Sequence, residues 1–321
     1  MKRKNKPDIA DLNPVHYFSG FHNPFPAIVM MIRLLFAASL CLIAPFGSSL
    51  ARSTEHIALP YQGVSFEIPE GFFGQASGNA YVLGSEDGTV LVLITGHAKT
   101  NTGQLDAELR KGYADDDGTE LRLEGNLEPY GDSGTGGTFS GYLVGTPAHA
   151  YILGLINPEG RGITISCLVR GQESGNMHKT LATSLAASFR FFPPAADPES
   201  DEWTSALGGC RLFSSEGYQS SSSGGYSTQT QIELCRDGHF RLNSSTLVSA
   251  DVGAVSGSSS SEEKSEGDWQ IGRNFEDLRV LRLISTDGLE EEYVIEGPVE
   301  SLALNGRSFM KTCDAAAISC K

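Results

Sequence analysis

Gly131-Asp132-Ser133-Gly134 has the form of a serine nucleophile held on a tight turn, with His97 upstream and acids between them at Asp106 and Asp115. In that order an imidazole would take the hydroxyl proton and a carboxylate would orient the imidazole. The segment from His97 to Ser133 is too short to build the scaffold such a relay needs, and Gly131 to Gly137 reads as a loose hairpin loop. Asp115, Asp117, Gly118 and Glu124 fall on the third, fifth, sixth and twelfth places of a calcium loop, but Tyr113 occupies the first, where a carboxylate belongs. Ser261-Glu262-Glu263-Lys264 has the Ser-x-x-Lys spacing of an acylation site, yet it lies in a serine tract without helical periodicity. His97, His149, His178 and His239 stand isolated, with no His-x-x-x-His or Cys-x-x-Cys pair to hold zinc. There is no phosphate-cradling glycine loop either. The chemistry-bearing residues therefore predict a protein that is not an enzyme, with no catalytic residue, metal or cofactor.

The elements that would have to position any site begin after a leader. Met31-Ile32-Arg33 precedes the apolar run Leu34 to Ala44, and Ser49-Leu50-Ala51 supplies small residues behind it. That order is expected to be a secretory signal peptide cleaved between Ala51 and Arg52, with an apolar run too short for a span of ~20 residues, the alternatives being a retained membrane anchor and lipid attachment at Cys41. Residues 1–29 lie awkwardly upstream, which predicts a true start at Met30 or Met31. The expected location is the periplasm or the exterior, with no stable membrane span after cleavage. The chain carries a net charge of −15, and −18 without residues 1–51. Such a surface repels phosphate backbones and excludes nucleic-acid binding as the expected role.

Two β-rich domains are expected, an α+β unit over 56–192 and a β-barrel over 203–314, joined by the Pro- and acid-rich linker 193–202 and followed by a tail, 315–321. In the first, Val64, Phe66 and Ile68 alternate before Pro69-Glu70-Gly71, and Ser85-Glu86-Asp87-Gly88 marks a hairpin turn. Further strands are expected at Leu121–Leu123, Phe139–Val144, Ala150–Ile156 and Ile163–Val169. Leu105, Leu109 and Tyr113 predict an amphipathic helix capped by Thr102, and Leu181, Leu185 and Phe189 predict a second one over Asn176–Phe189. The opening Phe66-Glu67-Ile68-Pro69-Glu70-Gly71-Phe72 and the closing Leu185-Ala186-Ala187-Ser188-Phe189-Arg190-Phe191 resemble the PsbP-like/DcrB-like α/β sandwich superfamily. The resemblance covers about residues 57–192. It implies an antiparallel sheet with two helices and carries over no catalytic residue.

The second domain reads as eight short strands separated by tight turns at Asp237-Gly238, Asp287-Gly288 and Asn305-Gly306. An up-and-down barrel disposes of the exposed edges of such a series. Trp269, Tyr293 and Phe309 are expected inside it. The pattern Leu234 to Phe240, Gly267-Asp268-Trp269 and Leu304-Asn305-Gly306-Arg307 is loosely lipocalin-like and resembles small bacterial barrel modules, although Gly267 and Trp269 fall mid-domain rather than on the first strand. Closure would bring Cys210 on the first strand beside Cys313 on the last, so the two are expected to pair, the alternative being two free thiols. Cys167, inside an apolar strand pattern, is expected as a buried free thiol. The serine-rich stretches Ser220–Gly225 and Ser256–Ser261 read as flexible loops.

The function expected from these readings is an envelope scaffold whose barrel takes a small ligand or an envelope protein partner. A rival reading is a hydrolase with an inter-domain site drawn from Ser133, His149 and His239. A third is a purely structural envelope component.

Overall fold

A computed structural model describes residues 55–115, 118–170, 176–220, 224–252 and 255–314. The signal segment, its Ala51–Arg52 cleavage point, Cys41, Asp117, Ser221–Ser223 and Cys320 lie outside the described residues. The fold is mixed and mostly antiparallel, with three helices and a nearly closed, barrel-like sheet among the described residues.

The first half begins with β1 (His56–Leu59), β2 (Val64–Glu67), β3 (Phe72–Ser77), β4 (Ala80–Ser85) and β5 (Val90–His97). Helix α1 (Thr102–Lys111), β6 (Tyr113–Ala114), β7 (Glu120–Tyr130), β8 (Gly134–Leu143), β9 (Thr146–Leu155) and β10 (Gly162–Arg170) follow. Helix α2 (Met177–Ser188) and β11 (Arg190–Phe191) close it. The large sheet runs β3-β4-β5-β10-β9-β8-β7-β6, and β1-β2-β11 forms a small one. Strand alternation gives the large sheet two apolar faces. One face, with Val92, Ile94, Leu153, Ile165 and Cys167, packs under α2 and the small sheet through Phe66, Leu185 and Phe189. Phe66 stacks on Phe189 at 5.0 Å and meets Tyr81 edge-on at 5.3 Å, so the two segments that carry the sequence resemblance touch in this core.

Two helix details differ from the expectation. The cap of α1 is Asn101, whose side chain accepts from the Gln104 N–H at 3.0 Å, one residue before Thr102. The helix stops at Lys111, because Gly112 takes φ +73° and a Cβ there would sit 2.5 Å from the Leu121 carbonyl. Tyr113 consequently belongs to β6 and not to the helix.

The second half opens with α3 (Ser200–Leu207), a helix inside the segment expected to be linker and barrel entrance. The linker is not slack. Asp197 is bound by Arg273 at 3.0 and 3.1 Å, and the Ala195 N–H donates to the Pro60 carbonyl at 2.9 Å. Strands β12 (Cys210–Ser220), β13 (Gly224–Leu234), β14 (His239–Val252), β15 (Val255–Arg273), β16 (Arg279–Ser285), β17 (Glu290–Glu296) and β18 (Ala303–Leu304) form an antiparallel meander. Chain continuity makes β19 (Arg307–Ser308) and β20 (Met310–Thr312) two halves of one last strand broken at Phe309. The first half pairs with β18 and the second with Arg211–Phe213 of β12, which brings the sheet nearly to closure. The interior is filled by side chains, among them Leu212, Ile232, Phe240, Trp269, Leu283, Tyr293 and Phe309, with Trp203 and Leu207 of α3 packed against them.

The serine-rich stretches correct the loop expectation. Ser256 to Ser261 belongs to β15 and pairs residue by residue with β14 down to the hairpin register Val252–Val255. Ser and Thr fit a pleated surface when cross-strand partners are present, as where Thr228 and Thr246 share a hydrogen bond at 3.2 Å. The result is a four-stranded flap standing beyond the barrel. On one side β12 is paired by β20 only through Phe213, and on the other β15 is paired by β16 only from Gly267. Among the described residues both outer edges of the flap are therefore unpaired.

Candidate functional site

Helix α1 lies over the second face of the large sheet, and a cavity of about 200 Å³ remains beneath it. The pairing registers place Leu93, Ser166, Ile152 and Gly137 in one row across β5, β10, β9 and β8. Thr95, Thr164, Gly154 and Thr135 form the next row. Helix α1 is seated on the glycine of that second row: a Cβ on Gly154 would lie 2.8 Å from the Leu105 Cδ2. Its next turn, with Leu109, then spans a gap walled by Leu121, Phe139 and Leu143 instead of filling it.

The floor of this cavity is not uniformly apolar. Thr95, Thr164 and Ser166 are half-buried and project into it from the two central strands. Among the described residues none of their hydroxyls has a hydrogen-bond partner in the protein. By contrast, the two carboxylates of the lining are already engaged. Lys111 holds Glu108 at 2.9 Å. The Thr119 N–H and the Tyr113 hydroxyl donate to Asp115 at 2.8 and 3.2 Å. Among the described residues the lining contains no lysine, arginine or histidine.

A second polar cluster joins the two halves. Arg161, at the start of β10, meets Glu292 of β17 at 3.0 Å and Glu290 at 2.6 Å, and Arg282 of β16 meets the same Glu292 at 2.5 Å. The contact of Arg161 with Glu290 is out of line for a hydrogen bond, so both Glu290 oxygens are buried without an aligned donor. Burial accordingly pushes the Glu290 carboxyl up, against the pull of Arg161 and Arg282. Burial would also raise Glu292, but its bonded arginines Arg282 and Arg161 bring it below the usual carboxylate range. Around this cluster Lys99 donates to the Gly288 carbonyl, the Gly78 N–H donates to Glu276 at 2.8 Å, and Phe275 enters the apolar core of the first half. Two arginines facing two glutamates make a structural clasp, and nothing in it presents a nucleophile.

The residues singled out from sequence are scattered. Ser133 lies in the turn from β7 to β8, and His97 ends β5 three strands away, about 14 Å across the sheet. The His97 Nδ1 accepts from the Lys99 N–H at 3.1 Å. Burial, with Arg161 and Lys99 nearby, lowers its pKa to about 4. His149 pairs with Ser140, roughly 20 Å along the strand from Ser133. His239 is on the barrel, in an exposed pair with Asp268 at 2.8 Å. Ser133, His149 and His239 thus do not share a site. Ser261 and Lys264 lie on opposite faces of β15, and Lys264 pairs with Glu262 at 2.9 Å. Glu124 is in β7, inside a strand, and Asp117 of the expected calcium loop lies outside the described residues. Cys210 and Cys313 are joined by a disulfide with Cα atoms 4.0 Å apart. Cys235 is also disulfide-bonded. Cys167 is free and fully buried, and burial pushes its thiol up to about 12. The three cavity hydroxyls and the Arg161 clasp were not singled out from sequence. The signal for the former was Thr164 and Ser166 alternating with Ile163, Ile165 and Cys167, a pattern that equally describes a solvent-facing strand side.

The molecule is thus a mostly antiparallel sheet protein with a small, largely apolar cavity on one sheet face. No protein-family model and no curated protein matches the chain. Among solved structures it is similar to a single-residue mutant of protein Mog1, at 8% identity and a TM-score of 0.31 over 44% of this chain and 97% of that one. It is also similar to cyanobacterial PsbP (CyanoP) from Synechocystis sp. PCC 6803, at 17% identity and a TM-score of 0.32 over 47% of this chain and 99% of that one. Both have a PsbP-like α/β fold, and each likeness covers under half of this chain.

Proposed function

We propose that this is an exported, non-enzymatic binding protein of the cell envelope, with its ligand site in the cavity between α1 and the large sheet. The observation that carries the reading is the cavity itself. It is an apolar recess of about 200 Å³ with a few convergent polar groups, which is the usual make-up of a small-molecule site. In this reading the first half is a PsbP-like/DcrB-like domain, on the strength of the Phe66–Phe72 and Leu185–Phe191 segments. The barrel, whose interior is packed, serves as a rigid partner clasped to it and not as the ligand holder. Export rests on the Met31–Ala51 pattern, and a disulfide between Cys210 and Cys313 suits an oxidising compartment.

Two measurements test it. Native mass spectrometry of chain recovered from a periplasmic fraction without reductant should give a mass beginning at Arg52; an uncleaved, cytosolic chain removes the export reading. Fluorobenzene, followed by fluorine NMR, should bind saturably, because an apolar cavity of about 150 Å³ suffices for benzene. Ser166→Leu, which fills the floor, should abolish that binding while the near-ultraviolet circular dichroism stays native. No saturable binding to the wild-type protein would end the binding-site reading.

A further inference from the structure

We infer that the ligand of this cavity is an uncharged, mainly apolar molecule carrying one hydroxyl or carbonyl group, held by Thr164, Ser166 and Thr95. The inference rests on the reading of the cavity as a binding site and adds the chemistry of what enters it. A half-buried hydroxyl on a central strand can be satisfied by a protein partner or by whatever enters the recess it lines. Here three such hydroxyls, on adjacent strands and within two registered rows, open onto the cavity and have no protein partner among the described residues. They are also the uncommitted polar side chains of the floor: Glu108 is taken by Lys111, and Asp115 by Thr119 and Tyr113.

Charge selects against the other classes. An anionic head group would enter a lining that, among the described residues, has no cationic side chain and has two carboxylates at its edge. It would be a buried, unpaired charge next to like charges. An ammonium group would find both carboxylates already holding donors, and it cannot accept the hydrogen bonds that three hydroxyls can donate. A hydroxyl or carbonyl oxygen can accept from one of them, and a hydroxyl can donate to another, without bringing a charge out of water.

A matched set of rigid probes separates these cases: toluene, benzyl alcohol, benzoate and protonated benzylamine, titrated at pH 7 and read by the amide shifts of β5 and β10. Benzyl alcohol should bind about tenfold more tightly than benzoate or benzylammonium, and about fivefold more tightly than toluene. In the Thr95→Val/Thr164→Val/Ser166→Ala variant the advantage over toluene should vanish, with toluene binding retained. Thr164→Ser, which keeps its hydroxyl, should preserve the preference and controls for packing. Benzoate or benzylammonium binding as tightly as the alcohol overturns the inference, as does an unchanged alcohol preference in the triple variant. Failure of all four probes, toluene included, overturns the underlying cavity reading instead.

Discussion

Arg161→Met tests whether the two halves are held by charge. In the native protein Arg161 faces Glu290 at 2.6 Å and Glu292 at 3.0 Å, and the side chains of all three are at most 16% exposed. Arg282 remains after the substitution and keeps Glu292 at 2.5 Å. Glu290 is then left with the more distant Arg282, at 3.5 Å, and the weaker pull of Lys99, and with no aligned hydrogen-bond donor. Breaking a buried pair from one side costs about 3–5 kcal/mol, and the residual exposure here places the expectation near the lower end, about 3 kcal/mol. The cost should depend on pH with a definite sign. A glutamate whose folded pKa is raised favours the folded state when protonated, so its contribution is complete below about 4.3 and is lost as the pH rises through its folded value. Removing Arg161 raises that value further. The deficit should therefore be largest at pH 7 and shrink on acidification. Urea unfolding at pH 7 and pH 5 gives the two deficits, and Glu290→Gln in the Arg161→Met background should recover most of the loss at pH 7. A loss below about 1 kcal/mol, or no rescue by Glu290→Gln, would refute the clasp as a coupled buried charge set.

Other outcomes follow from separate features. The Cys210–Cys313 bond closes a separation of 103 residues, so Cys210→Ser/Cys313→Ser should lose roughly 4–5 kcal/mol in the chain-entropy account, measured by urea unfolding. Proton NMR should titrate His97 with a midpoint of about 4. Its depressed pKa contributes stability that is present above 6.5 and lost as the pH falls through about 4. Gly141→Ala should destabilise by about 2–3 kcal/mol in thermal unfolding, since φ is +150° and the added Cβ would lie 1.9 Å from the Glu120 carbonyl oxygen. Non-reducing peptide mapping should find Cys235 in a disulfide and Cys167 as a free thiol.

Much of the strand framework was legible because its signals are local. Alternation in Val64 to Glu67, the Asp87-Gly88 turn and the Leu185–Phe189 stripe each depend on neighbours within a few residues. The meander of the second half was legible for the same reason, through Asp237-Gly238, Asp287-Gly288 and Asn305-Gly306. The flap was not: a run such as Ser256 to Ser261 has no preference of its own, and it becomes strand only because β14 supplies partners at a defined register. Helix α3 was hidden in a segment rich in Pro and acid, and is fixed by Trp203 and Leu207 packing on the barrel. The cavity was illegible for a further reason. Which face of β10 meets α1 is decided by the β5-β10-β9 order, and strand order is not written in strand periodicity. The clasp likewise joins Arg161 to residues far along the chain, with a pairing that only the folded topology defines.

The open sides of the flap have a consequence for how the molecule behaves among its own copies. From Val255 to Glu266 the backbone of β15 offers every second amide and carbonyl outward, with no strand paired to it there among the described residues. A bare serine-rich border of this kind is a seed for lateral growth, since any extended chain can dock there without side-chain complementarity. What stands in the way is the charge written along the same border, Glu262, Glu263, Lys264 and Glu266, set in a chain that is strongly anionic as a whole. Repulsion of that kind weakens as ions screen it. Ionic strength therefore governs whether neighbouring molecules stay apart, and the serines supply adhesion while the glutamates ration it.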